Sequence, residues 1–168
     1  HILTAVGEAI AGGAVMIQLR DKAATVINDE QRLLALLELC RQQGVPFIIN
    51  DDSRLAVNIG ADGVHIGPSD GGIATARTHL GERAIIGVSC HNSLDSAHRA
   101  VAEGADYVAF GRFFASRTKP DAPGATLEQL RAARAQLDVP IVAIGGITPD
   151  NSRELLAAGA DLLAVIAG

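Results

Sequence analysis

No apolar run in this chain of 168 residues approaches the roughly 20 needed to span a bilayer, although its mean hydropathy is high at +0.25. A membrane protein is excluded on that count. Positive charge is also scarce: 14 Lys+Arg stand against 19 Asp+Glu, a net charge of −5. A nucleic-acid binder held by phosphate contacts needs the opposite balance. Cysteine occurs twice, at Cys40 and Cys90, on different elements and with no metal-ligand spacing. The pair reads as reduced, buried thiols, which points to a cytoplasmic protein. No signal peptide opens the chain, which begins at His1 rather than Met and so leaves its true start open. No linker or low-complexity tract divides residues 1–168, and the length suits one domain. Lysine is the last scarcity: Lys22 and Lys119 are the only two.

What is present is alternation. Short apolar runs lie at 15–19, 47–50, 63–66, 85–89, 107–111, 141–145 and 162–166, bounded by glycine or polar clusters, as buried parallel strands should be. Amphipathic stretches separate them. Segment 28–43 spaces Leu33, Leu36, Leu37 and Cys40 for one helical face. Ser93 and Thr126 stand where N-caps belong, ahead of helices over 93–103 and 126–136, and 149–158 reads as a further helix. A triplet recurs as Gly60–Ala61–Asp62, Gly104–Ala105–Asp106 and Gly159–Ala160–Asp161, each time between a helix end and a strand. Glycine there accepts the left-handed conformation that ends a helix.

Repeated helix–strand units without hairpin signals predict parallel strands with helices outside. An open doubly wound sheet would announce a Gly-x-Gly-x-x-Gly turn or a P-loop, and neither is present. The expectation is an α/β fold, a (β/α)8 barrel, with seven recognisable strands. Its first strand would precede residue 1 and its last helix would follow Gly168.

In such a fold the chemistry gathers after the strands. Gln18, Arg20 and Lys22 alternate, so a strand persisting that far would send all three to one side, where two cations suit an anion. The plainer reading is a solvated strand end with a surface Asp21–Lys22 pair. Asn50, Asp51, Asp52 and Asp70 offer hard oxygen ligands that suit Mg2+ bridged to a phosphate. Asp52 also suits a helix cap, which leaves Asp51 as the functional member. Ser116, Arg117, Thr118 and Lys119 sit in a loop between Gly111 and Gly124 that could clamp phosphate and close as a lid, or be an ordinary loop. Gly145–Gly146 either admits a ligand close to the backbone or simply makes a turn. His65 reads as a lining residue, His79 and His98 as helix-surface residues, and Cys90 as packing. Ser89 and His91 end a strand where substrate could touch them.

The segments QLRDK (18–22), INDD (49–52), GADGVHIGPSD (60–70), IIGVSCHN (85–92), GADYVAFGRFFASRTKP (104–120), PIVAIGGI (140–147) and GADLLAVIAG (159–168) resemble, in order, the thiamine-phosphate synthase family. The resemblance implies a transferase that joins a hydroxymethylpyrimidine diphosphate to a thiazole phosphate, releasing pyrophosphate with Mg2+. It implies that Gln18, Arg20, Lys22 and Asn50 hold the pyrimidine diphosphate and that Asp51 and Asp70 bind the metal. Ser89 matches the serine near the pyrimidine amino group, and Lys119 the lysine on the diphosphate. Ser116, Thr118, Gly146, Ile166 and Ala167 match the thiazole phosphate pocket. Ser116 stands where Thr is common, Pro68 where Gln is frequent and Ala167 where Ser is frequent. The implied partners are small molecules, with no nucleic acid or membrane, and a homo-oligomer is left open. The rival readings are a thiazole tautomerase of the same fold, which would not need the two aspartates, and a non-catalytic ligand-binding barrel.

Overall fold

The computed structural model of the chain describes residues 2–115 and 124–166. Among them helices and strands alternate, and the chain packs as two compact units, His1–Ile86 and Gly87–Gly168. No helix among the described residues is long and apolar enough to cross a membrane.

The first unit runs α1 (Ile2–Ala11), β1 (Ile17–Leu19), α2 (Glu30–Gln42), β2 (Phe47–Asn50), α3 (Ser53–Ile59), β3 (Gly63–Ile66) and α4 (Gly72–Leu80). β1 pairs with β2 and β2 with β3, all parallel, with Ile17 opposite Phe47 and Ile49 opposite Val64. The predicted face of α2 is the one that is buried: Leu33, Leu36, Leu37 and Cys40 pack on Leu19, Phe47 and Ile49. Each such aliphatic side chain contributes about 1.5–3 kcal/mol on leaving water. Asp29 starts the helix by accepting the Arg32 amide at 3.1 Å.

The second unit contains β4 (Ile85–His91, which begins two residues before the boundary), α5 (Leu94–Ala102), β5 (Tyr107–Gly111), α6 (Leu127–Gln136), β6 (Ile141–Ile144), α7 (Ser152–Ala157) and β7 (Leu162–Ala164). Its strands are again parallel and paired in sequence order. β4 continues past the predicted 89 because Cys90 is an extra residue: Ser89 faces Ala109, while His91 faces Phe110. Ser93 and Thr126 cap as expected, and Thr126 forms a reciprocal box with Gln129. Gly87 is required by its neighbour, since a Cβ there would occupy the ring of Tyr107 on the adjacent strand.

The recurring aspartate has a structural use. Asp62 accepts the Phe47 amide at 2.8 Å, and its own amide donates to the Phe47 carbonyl. Asp161 repeats this with Ile141 at 2.8 Å. In β2 and β6 the first N–H of the strand is thus satisfied by a carboxylate. Arginines reinforce the junctions: Arg41 donates to the Gly60 carbonyl, and Arg134 pairs with Asp161 at 2.8 Å.

Candidate active site

β1 ends at Leu19, short of the predicted alternation through Lys22. Asp21 breaks it. Its carboxylate accepts the amides of Val26 and Ile27 at 2.6 and 3.0 Å and the Thr25 hydroxyl at 3.3 Å, folding 21–27 into a braced loop. Those bonds, led by the Ile27 amide, hold the Asp21 carboxyl below its ordinary range. The Asp21–Lys22 surface pair of the plainer reading is therefore replaced. Lys22 reaches the end of the next strand instead, where its Nζ donates to Asp51 Oδ2 at 2.7 Å.

Asp51 follows β2 with φ +68, a left-handed conformation that aspartate tolerates better than most side chains. Its amide donates to the His65 carbonyl at 2.8 Å, which ties the turn to β3. Asp52 takes the capping role expected of it, accepting the Leu55 amide at 2.9 Å. Asp70 is aimed by its own turn: Oδ2 accepts the Gly67 amide at 2.7 Å and Oδ1 the Ser69 hydroxyl at 3.3 Å.

These groups interact. Burial raises the Asp51 carboxyl, but side-chain hydrogen bonds with Lys22 and Asp70 and the charges of Lys22 and Arg20 outweigh it, and the net direction is down. Two carboxylates and two cations thus share one neighbourhood in the first unit. Asn50 is half-buried at the end of β2, opposite His65, and Gln18 is exposed on β1. No cluster of three or more His, Cys, Asp or Glu suited to a metal occurs among the described residues. Two hard oxygen donors without a third protein ligand fit Mg2+, which keeps several waters and shares phosphate oxygens, better than a protein-caged ion.

In the second unit Ser89 is half-buried on β4, and His91 ends that strand with φ +54. Burial pushes the Cys90 thiol up to about 12, so it packs rather than reacts. Gly145 and Gly146 are crowded by the chain itself: a Cβ on either would meet residues 112–115. That segment is bonded to the end of β6, with the Phe113 amide on the Ile144 carbonyl at 3.2 Å and the Phe114 amide on the Gly145 carbonyl at 3.0 Å. The glycines therefore anchor the root of the 111–124 loop. Ile166 is exposed. Ser116, Thr118, Lys119 and Ala167 lie outside the described residues.

Sequence reading missed one pair. His79 is half-buried rather than on the surface, and its Nδ1 lies 2.8 Å from the buried Ser53 Oγ. No local pattern signals a contact between residues 26 apart.

The family model described as thiamine monophosphate synthase matches residues 1–168. The chain belongs to the thiamine monophosphate synthase family. Membership makes it a transferase of thiamine biosynthesis. The thiamine-phosphate synthase of Alcanivorax borkumensis is 53% identical over 166 residues, covering 99% of this chain and 76% of that protein. That of Methylococcus capsulatus is 52% identical over 165 residues, covering 98% and 74%. Among solved structures, thiamine phosphate pyrophosphorylase from Pyrococcus furiosus superposes with a TM-score of 0.87 at 37% identity, over 97% of this chain and 78% of that one. The family resemblance and the α/β fold with parallel strands thus agree with the sequence reading.

Proposed function

We propose that the chain performs the reaction its family is named for, in the dissociative form that its residues suit. The methylene–oxygen bond of the pyrimidine diphosphate breaks, and its electron pair leaves with pyrophosphate. The thiazole nitrogen then donates its lone pair to the methylene carbon, giving thiamine phosphate. No proton need move in either step. The protein's work is to position two anions, stabilise the departing charge and exclude water. The fold proposed for this is the family's (β/α)8 barrel.

Asp51 and Asp70 would hold Mg2+, which would supply charge neutralisation on the leaving diphosphate. Gln18, Arg20, Lys22 and Asn50 hold that diphosphate, joined by Lys119. Ser89 receives the pyrimidine amino group. Ser116, Thr118, Gly146, Ile166 and Ala167 hold the thiazole phosphate. The observation carrying this reading is the Lys22–Asp51–Asp70 cluster with Arg20 beside it. A tautomerase handling the thiazole phosphate alone has no use for a paired-carboxylate site.

The test is pyrophosphate release with both substrates present. Release that needs both substrates, stops with EDTA and returns with Mg2+ is the expected result. Thiazole phosphate isomerised without pyrophosphate would make the chain a tautomerase. Binding of either substrate without turnover would make it a ligand-binding protein.

A further inference from the structure

Ser53 is the first residue of α3 and only 9% exposed, and its hydroxyl meets His79 Nδ1 of α4 at 2.8 Å. The fully buried apolar residues of the two helices are few, Ala56 on α3 with Ile73 and Ala76 on α4, and the larger Leu55, Ile59 and Leu80 are only partly buried against the core of Leu19 and Phe47. Such surfaces let helices slide, whereas a hydrogen bond tolerates only a few tenths of an ångström. A seven-residue helix has little stability of its own and takes its orientation from what it packs against. A serine at the first helical position has no helical carbonyl four residues back to bond, so its partner must come from elsewhere.

The two helices are also the ones that follow the acidic turns. Asp51 precedes Ser53 by two residues, and Asp70 precedes Gly72 by two. Asp51 is held at φ +68 by its amide bond to His65 on one side and by the first turn of α3 on the other. We infer that His79 is a positioning residue: through Ser53 it locks α3 against α4 and so fixes the separation of the Asp51 and Asp70 carboxylates. The inference rests on reading those two aspartates as the metal ligands.

Binding of Mn2+ alone to the full chain, read from loss of the free-ion EPR signal, tests it alongside steady-state kinetics. His79→Leu and Ser53→Ala should each weaken Mn2+ binding by about 10- to 100-fold, the range for partners that orient metal ligands. His79→Asn, which places a polar atom near the lost Nδ1, should restore affinity to within about threefold by the same reasoning. The double variant should lose no more than either single one, since both remove the same bond. In the kinetics the loss should appear in KM for the pyrimidine diphosphate more than for the thiazole phosphate. Unchanged Mn2+ affinity with only a lower melting temperature would overturn the positioning role and leave the metal site standing. Failure of the wild-type chain to bind Mn2+, with Asp51→Asn indistinguishable from it, would overturn the metal reading itself and this inference with it.

Discussion

Lys22→Ala separates two contributions that one ion pair can make. The Nζ–Oδ2 distance to Asp51 is 2.7 Å, but the side chains are 63% and 35% exposed. Exposed pairs contribute about 0–1 kcal/mol to folding, because water screens them and ordering long side chains costs entropy. At about 2–4 °C per kcal/mol for a chain of this size, the melting temperature should fall by no more than about 4 °C. Catalysis should respond differently. A preorganised donor facing charge that develops on a leaving group contributes about 2.7–4 kcal/mol, or 10²–10³ in kcat. Pyrophosphate release under saturating substrates and calorimetric melting, run on the same preparation, should therefore show a large loss beside a small one. Turnover within about threefold of wild type would remove Lys22 from the diphosphate site. A melting temperature lower by about 10 °C would mean that the pair is structural instead.

Asp51 titrates below its ordinary value near 3.8, so its ionised form contributes above the unfolded value and is lost only as pH falls through the lower folded one. An NMR titration of its carboxyl should show this midpoint, and Lys22→Ala should move it upwards; an unmoved midpoint would remove the coupling. Arg20→Ala and Lys119→Ala should each reduce turnover by about a hundredfold with melting unchanged, as measured by the same two assays. Gly87→Ala should destabilise the fold by about 1–3 kcal/mol, because its methyl group needs the space of the Tyr107 ring; a melting curve like that of wild type would show that the ring relocates freely. Burial puts the Cys90 thiol near 12 and also raises Cys40, so mass spectrometry should find both unmodified after iodoacetamide at pH 8 and both alkylated in denaturant.

Buried strands were legible because their signal is local. β2, β3 and β5 occupy the same residues that the apolar runs mark, 47–50, 63–66 and 107–111. Caps at Asp52, Ser93 and Thr126 were equally readable, since capping depends on a residue type and its next three neighbours. What escaped depends on partners remote in sequence. The alternation Gln18–Arg20–Lys22 is real as a pattern, yet Asp21 collects three loop donors and ends the strand before it matters. Lys22 still arrives at Asp51, by a route that periodicity does not describe. Gly145–Gly146 looked equally suited to a ligand or a turn, and contact with residues 112–115 is what demands the missing side chains. His79 was misread because the serine that buries it lies on another helix.

The stitch that Asp62 makes to Phe47, and Asp161 to Ile141, joins the first residue of one strand to the residue that leads into the next. The Asp62 fastening lies at the start of β2 and β3, the end away from Asp51 and Asp70 in the same unit, and the Asp161 fastening lies at the start of β6 and β7. Segments that carry chemistry can then be rewritten, lengthened or exchanged while the ladder beneath keeps its alignment. Mutational tolerance in this protein should divide along the same line, with the aspartate junctions intolerant for folding and the opposite turns intolerant for turnover alone.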